Sequence, residues 1–396
     1  MSLMMAFCTV LIVLTIGDVV STKTKAFVPS VFVSAIIFLI GFWTFFPSDI
    51  VSLAGFTQPV IILSMYLLIT HMGTMLSVRE LISQWKTIAV ALAGIIGICL
   101  LTLTIGRVLF GMEAVVIGTP PLTGGIVAAI LMSEAATAKG LQDLAVLAII
   151  MYVMQGFVGY PLTAIMLKKE GKRLLNIWRS GAIKIKKNTQ DELATTVEEK
   201  SKFMIFSPLP KKYQTTYMLL AKLGLVAWSG VAFAGLIDNI ISKYVICLMF
   251  GVIASEIGFL ERKPLNLSGS FGFFITGLMA FIFTGLAKAT PEMLGQIVVP
   301  LAGIIVLGVL GMAVLSMFVG TRLGYTKEMS LAIALTALYG FPPNYILTEE
   351  AVKALTEDEE EKKYLMDEML PKMLVGGFTT VTIVSVIVAG VFVKML

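Results

Sequence analysis

Apolar runs of about twenty residues recur along this chain, and they constrain its fold more than any other feature of the sequence. Charged residues make up 14% of the 396 positions and hydrophobic residues 57%, whereas soluble domains carry roughly 25% charged residues. A helix needs about 20 apolar residues to cross a bilayer, while barrel strands alternate apolar with polar residues. The sequence therefore predicts an all-α polytopic membrane protein.

About ten of these runs are interpreted as transmembrane helices. They cover residues 4–20, 27–47, 58–75, 87–106, 144–167, 215–237, 244–258, 270–287, 296–320 and 370–393. Two further stretches, 114–138 and 328–354, are apolar enough to enter the membrane but are interrupted by Gly, Pro and acidic residues. Such interruptions make these two stretches poor simple spans.

The positions of lysine and arginine predict the topology. If 168–212, the longest polar segment, is a cytoplasmic linker, then 23 of the 30 basic residues lie on the cytoplasmic side, as the positive-inside rule requires. This bias holds only if 114–138 and 328–354 are re-entrant hairpins that dip in from opposite faces. Both termini are then predicted to lie on the extracellular side of the cell membrane. The net charge of +5 is thereby assigned to cytoplasmic loops, so we expect a lipid bilayer and no nucleic acid as partner.

The two halves of the chain form a weak internal repeat. With an offset of 216 residues, PLTGGIVAAILMSEAATA (121–138) and ALYGFPPNYILTEEAVKA (337–354) share seven identities, which include the pairs Gly124 with Gly340 and Glu134 with Glu350. The segment LAGII also occurs at both 92–96 and 301–305. Each half has five spans and one hairpin, so residues 1–167 and 213–396 are predicted to be inverted repeats joined by the linker.

Inverted repeats with interrupted elements at matching positions are typical of secondary transporters, whose site lies near the bilayer midplane. An interrupted helix exposes N–H groups that suit an anion and C=O groups that suit Na⁺. The sequence therefore predicts a cation-coupled transporter of a small organic anion that works by alternating access, with Na⁺ as coupling ion and no cofactor.

The chain also resembles a known family. The order of spans, the opposed hairpins that contain PLTGG and LYGFPPN, and the segments VMQGFVGYPLTAIMLKK and MLVGGFTTVTIVSVIVAG are similar to the bacterial sodium/glutamate symporters. The resemblance implies Na⁺-driven uptake of an acidic amino acid such as glutamate. Two features depart from the family pattern: the first hairpin has no His, and Pro342-Pro343 stand where a Gly-rich turn is expected.

Candidate substrate and ion ligands lie in the hairpins and in the last span. They are Thr123, Gly124, Gly125, Ser133, Glu134, Thr137, Tyr339, Gly340, Asn344, Thr348, Glu350, Thr379 and Thr380. Acids within membrane segments usually face a cavity or a partner; the alternative for Glu134 and Glu350 is a cap or an ion pair at the base of each hairpin. The alternative for each hydroxyl is a bond to a carbonyl of its own helix. Pro120-Pro121 are expected to unravel the first helix before Thr123.

Several other functions remain as alternatives. H⁺ coupling, or export of another small carboxylate or amino acid, would use the same architecture. An intramembrane enzyme would need a nucleophile, base or metal set, and a single His with scattered Cys8, Cys99 and Cys247 supplies none. A channel would need a charged or carbonyl filter. Residues 308–320 are Gly-rich and suit close helix packing or a homodimer contact. His71 and Lys222 are expected at span ends, where Lys222 snorkels.

Overall fold

The computed structural model describes residues 1–75, 84–180, 205–206, 210, 213–237 and 243–396, and all regular structure within these ranges is helical. The helices of nine or more residues in the first half are α1 (Leu3–Lys23), α2 (Ser30–Thr44), α3 (Gln58–Gly73), α4 (Trp85–Leu101), α5 (Met112–Leu122), α6 (Ile126–Ala138) and α7 (Gln142–Arg179). Those of the second half are α8 (Thr216–Leu236), α9 (Lys243–Glu256), α10 (Phe271–Ile282), α11 (Pro291–Arg322), α12 (Lys327–Leu335), α13 (Pro343–Lys353), α14 (Glu359–Phe378) and α15 (Ser385–Val393).

A helix lies at each predicted span, which confirms the all-α class. Among the described residues, six helical stretches are long and apolar enough to cross a membrane: Leu3–Lys23, Trp85–Phe110, Gln142–Arg179, Thr216–Leu236, Ile297–Arg322 and Glu359–Val393. The protein is therefore membrane-embedded. Helix α7 continues through Arg179, so the predicted linker 168–212 begins as a helix, and most of its remaining residues lie outside the described ranges.

The two halves begin with the same kind of helix cap. The hydroxyl of Ser2 accepts a hydrogen bond from the N–H of Met5 before α1, and the hydroxyl of Thr215 accepts one from the N–H of Met218 before α8. Each cap satisfies one of the free N–H groups in a first helical turn. The first helix of each half thus begins with a hydroxyl cap.

The expectation that Pro120-Pro121 unravel the first broken helix is wrong. Both prolines lie inside α5, which ends at Leu122. A proline removes a hydrogen bond to the carbonyl four residues earlier, and here it does so in the last turn, where the helix is about to end. The interruption itself occurs at Thr123–Gly125. In the second half, by contrast, Pro343 is the first residue of α13, the position that proline favours.

The chain contains two compact units, and each draws on both halves of the sequence. The first consists of residues 1–55, 84–172 and 282–396, and the second of residues 56–83 and 173–281. All of the interrupted helices belong to the first unit. The second unit contains α3, α8, α9 and α10, within which α3 and α9 approach each other closely at Gly73 and Gly251.

Two glycines allow α4 and α11 to touch backbone to backbone in the first unit. A Cβ added at Gly97 would lie 2.2 Å from the carbonyl oxygen of Gly311, and one added at Gly311 would lie 2.1 Å from that of Gly97. In a bilayer, where lipid is as apolar as leucine, helices associate through such close packing of small residues. The repeated LAGII segments lie in α4 and α11, so the fourth spans of the two halves pack on each other.

The substitution Gly311→Ala is expected to destabilise the protein by about 1–3 kcal/mol, the usual effect of overpacking. The clash is with backbone, so the two helices must separate. Gly295→Ala, on the same helix with nothing within 4 Å of the added Cβ, is the control and should be neutral or stabilising because Ala favours helix. Thermal unfolding in detergent measures both, and equal melting temperatures would contradict the contact.

Candidate functional site

Two interrupted helices define the candidate site. The first interruption separates α5 from α6 at Gly124 and Gly125, which have φ angles of +119° and +87°. The second separates α12 from α13: a 3-10 turn at Thr336–Leu338 leads to Gly340, whose φ is +66°. Residues with a side chain rarely adopt these angles. Gly124 and Gly340 are also the pair related by the 216-residue offset, so the repeat places its breaks at equivalent positions.

The two breaks meet inside the first unit. A Cβ added at Gly124 would lie 3.0 Å from the carbonyl oxygen of Ala337 and 3.1 Å from Cα of Val381. One added at Gly340 would lie 2.9 Å from Cγ2 of Val381, and one at Gly125 would lie 2.7 Å from the carbonyl oxygen of Val381. The absence of side chains at these glycines therefore permits contact between the two breaks and the last span. We call this meeting point the junction.

The last span has a specialised backbone where it contacts the junction. Residues Thr379–Val384, which include Val381, form a π-helical segment between α14 and α15. Short π-helical segments inside α-helices are frequent at functional sites. The predicted ligands Thr379 and Thr380 lie in this segment, where their hydroxyls donate to the carbonyls of residues 375–377 in the preceding turn. Sequence reasoning selected the segment but not its contacts with the breaks.

Helix α7 supports the second break. A Cβ at Gly159 would lie 2.9 Å from the ring of Tyr339, and the Tyr339 hydroxyl forms a 2.7 Å hydrogen bond with the hydroxyl of Thr163. A cavity of about 30 Å³ lies next to this contact. Its aromatic lining consists of Tyr152, Phe157, Tyr160, Phe283 and Tyr339. Since one water molecule needs about 10–15 Å³ of such a cavity, this volume suits about two waters, far less than the pockets that hold ligands of drug size.

Polar groups at the start of α13 are tied to the adjoining α14. Asn344 is fully buried, and its Nδ2 donates to the carbonyl oxygen of Met373 at 3.1 Å. The Asn344 side chain lies against Gly377, where an added Cβ would be 2.6 Å from Nδ2. Thr348 donates to the carbonyl of Asn344, and buried Thr123 donates to that of Pro120. The two threonines therefore bond within their own broken helices, as their alternative interpretation states.

Three predicted ligands lie at the other end of α6, away from the junction. Glu134 and Thr137 are exposed, Ser133 is half-buried, and the Thr137 hydroxyl donates to the Ser133 carbonyl. At 1.5 Å per residue, Glu134 lies roughly 13 Å along the helix from Gly125. The structure thus brings Thr123, Gly124, Gly125, Tyr339 and Gly340 together near the last span but does not bring Ser133, Glu134 and Thr137 to them.

Glu350 lies between α1 and α2 at the far end of α13. Its carboxylate accepts hydrogen bonds from the hydroxyl of Ser21 at 2.8 Å, from the backbone N–H of Ser30 at 3.1 Å, and from the Ser30 hydroxyl. The N-cap residue of α2 is Pro29, which supplies no side-chain cap. Glu350 therefore acts as a cap from a distant part of the sequence, in the place where a helix favours negative charge.

Two residues of the second unit differ from expectation. His71 is not exposed at the helix end but fully buried, and its Nδ1 accepts from the backbone N–H of Leu265 at 3.3 Å, so it joins α3 to the short helix Pro264–Leu267. Lys222 does not snorkel to the surface: its Nζ lies 2.6 Å from Oε1 of Glu261, and both side chains are largely buried. Neither contact could be predicted from local sequence, because each joins distant segments.

Sequence reasoning missed three residues that contact the site. Val381 and Ser385 lie against Gly125, and Thr163 holds Tyr339. A fourth missed residue, Gln155, is 1% exposed on α7 and lies about one helical turn before Gly159. The sequence does contain a signal for Gln155: an amide in the middle of the apolar span 144–167 is expensive to bury and often functional. Val381 carried no signal, because a valine in an apolar helix resembles any other.

The substitution Gly125→Ala is expected to destabilise the protein more than Gly111→Ala, by a further 1–3 kcal/mol or roughly the effect of overpacking. Both glycines have similar positive φ angles, +87° and +81°, so backbone strain is matched between the variants. An added Cβ meets the Val381 carbonyl at Gly125 but nothing within 4 Å at Gly111. Equal melting temperatures for the two variants would contradict the junction as described.

The substitution Glu350→Ala is expected to lower stability by about 1–3 kcal/mol, because the N-terminus of α2 loses its charged acceptor. Glu350→Gln keeps one acceptor oxygen and should therefore lose less stability than Glu350→Ala. Glu134→Ala is the matched control at the equivalent position of the repeat, and since Glu134 is exposed the change should stay within about 0.5 kcal/mol. Thermal unfolding of the three variants tests the cap, and a wild-type melting temperature for Glu350→Ala would refute it.

No protein-family model matches this chain, and no curated protein matches it. The resemblance to the sodium/glutamate symporters therefore remains an expectation that rests on the hairpin and span motifs. What the protein does has to be inferred from the junction and its surroundings.

Proposed function

We propose that this protein is a secondary transporter that carries a small organic anion across the cell membrane by alternating access, driven by Na⁺. One observation carries the proposal: the interrupted helices of the two sequence repeats meet at Gly124 and Ala337 and share a contact at Val381. Transporters with inverted repeats bind substrate and ion where such interrupted helices face each other. In this proposal the ten spans cross the membrane, and 114–138 and 328–354 enter it from opposite faces with both termini outside.

The chemistry of a broken helix supports an anionic substrate and a cation together. The N-terminus of a helix favours negative charge, and its C-terminus favours positive charge. The start of α6 follows Gly125, which provides no side-chain cap, while the end of α12 places the Ala337 carbonyl beside Gly124. A carboxylate and a Na⁺ ion could therefore occupy neighbouring positions at the junction without a charged side chain. The substrate is proposed to be an acidic amino acid such as glutamate.

The small aromatic cavity supports alternating access. A volume of about 30 Å³ cannot hold an amino acid, so the helices around Tyr339 must separate before the substrate binds. Because the two hairpins are proposed to enter from opposite faces, movement of one or the other would open the junction to one side at a time. Bound substrate would shift the equilibrium between these states only through contacts that differ between them.

Na⁺ coupling is favoured over H⁺ coupling by the positions of the acids. A proton-coupled carrier needs a group at its site that exchanges a proton, and a carboxylate commonly serves. Among the described residues, Glu350 is engaged by Ser21 and Ser30 and Glu134 lies at the far end of α6. The described side chains around the junction are hydroxyls, amides and apolar groups. Such oxygen atoms suit a hard cation.

The test is uptake by proteoliposomes that contain the purified protein. Labelled glutamate, aspartate and other small acids are offered with an inward Na⁺ gradient, with a K⁺ gradient of equal size, and with an inward proton gradient. We expect accumulation of an acidic amino acid in the Na⁺ arm alone, with Gly125→Ala strongly impaired and the matched Gly111→Ala variant less affected. If accumulation follows the proton gradient and does not depend on Na⁺, the coupling ion is H⁺ and the Na⁺ part of the proposal is wrong. No transport of any small acid would refute the proposal.

A further inference from the structure

Gln155 lies on a stripe of α7 that contacts both broken helices. Ala148 packs in a cluster with Val116, Ile117 and Ala128, which belong to α5 and α6. Gly159 and Thr163 contact the second break at Leu338 and Tyr339. Residues 148, 155, 159 and 163 share one face of the helix, since seven residues make nearly two turns and four make about one. Gln155 therefore lies between the turn that packs against the first broken helix and the turn that packs against the second.

The side chain of Gln155 is buried without full hydrogen bonding. It is 1% exposed, and among the described residues no donor lies within hydrogen-bond distance of its Oε1. An amide oxygen buried in this way destabilises a fold, because it has lost its water and gained no donor. Because native structures rarely leave such groups unpaired, each instance calls for an explanation, and an ion is one of the recognised explanations.

A second buried oxygen of the same kind lies on α5. Thr119 is fully buried, and no partner for its Oγ1 is present among the described residues. It lies one turn before Thr123 and the first break. Its neighbour Gly118 approaches α7, because an added Cβ there would be 3.4 Å from Cε of Met151. Two unpaired oxygens therefore occur on two helices that contact each other, one of which, α5, leads into the junction.

We infer that Gln155 is a ligand of the coupling cation, with Thr119 contributing to the same site. This inference rests on the proposed function and names residues that bind Na⁺ in it. A neutral amide oxygen and a hydroxyl are hard ligands that bind Na⁺ without titrating. The Ala337 carbonyl, in the 3-10 turn that follows α12, adds an oxygen of the same character at the junction. No covalent step is involved, since the ion replaces water ligands with protein oxygens.

The experiment compares Na⁺ binding by Gln155→Leu and by the wild-type protein. Purified full-length protein is heated in detergent at a series of NaCl concentrations, with KCl keeping ionic strength constant. A ligand that binds only the folded state raises the melting temperature with its concentration. The wild-type protein is expected to be stabilised by Na⁺, and Gln155→Leu is expected to need at least tenfold more Na⁺ for the same rise. Thr119→Val should show a smaller loss of Na⁺ affinity than Gln155→Leu.

The same variant separates a binding role from a structural one. If Gln155 were merely structural, Gln155→Leu would melt below the wild-type protein in KCl. As an ion ligand, it should melt at or above the wild-type temperature in KCl, because the substitution removes an unpaired polar atom. Gln155→Glu keeps acceptor oxygens, so Na⁺ should still raise its melting temperature. This variant provides the test if Gln155→Leu does not fold. Gln142→Leu, at an exposed position of α7, is the control and should match the wild-type response.

The outcomes distinguish this inference from the proposed function. If the wild-type protein transports with Na⁺ and Gln155→Leu keeps wild-type Na⁺ affinity, the assignment is overturned while the transporter proposal stands. If Gln155→Leu keeps Na⁺ affinity but raises the substrate KM, the amide contacts the ammonium group of the substrate, which also overturns the assignment. If the wild-type protein neither transports nor binds Na⁺, both proposals fail together.

Discussion

The close approach of three glycines to one helix is the contact on which the rest of the first unit depends. Gly124, Gly125 and Gly340 all have positive φ angles, and all lie against Val381. A side chain at any of them would strain the backbone and push the last span away. Two chain breaks of opposite repeats can meet only because these positions have no Cβ. The junction, its π-helical neighbour and the support from α7 follow from that contact.

The surrounding helices hold the junction through short-range packing and long-range polar caps. The hydrophobic effect contributes little to helix association in lipid, so close contact between helices depends on small residues such as Gly97 and Gly311. Glu350 then fixes the outer end of α13 to the start of α2. The broken helix α13 is thus anchored near its C-terminal end by the Glu350 carboxyl, while the break before its N-terminal end rests on glycine contacts. An ion or a substrate could therefore change the contacts at the break before α13, while the C-terminal end of the helix stays fixed.

Sequence predicted the helices and the positions of both breaks, because these depend on local composition: apolar runs, glycines and prolines. It placed the end of α5 incorrectly at Pro120-Pro121, because a proline in a last turn disturbs few hydrogen bonds. It gave Glu134 and Glu350 equal roles, although only Glu350 has serines from α1 and α2 within reach. Those serines and Val381 lie far away in the sequence, and a single sequence contains no signal for such contacts.

The most direct test of the central claim measures access to the junction from each side of the membrane. A single cysteine at Val381, in a variant whose three native cysteines are replaced, is labelled in sealed vesicles by a membrane-impermeant maleimide from outside or from inside. Alternating access predicts that position 381 reacts from both sides, and that Na⁺ and substrate change the ratio of the two rates. Reaction from one side alone under every condition would contradict the account.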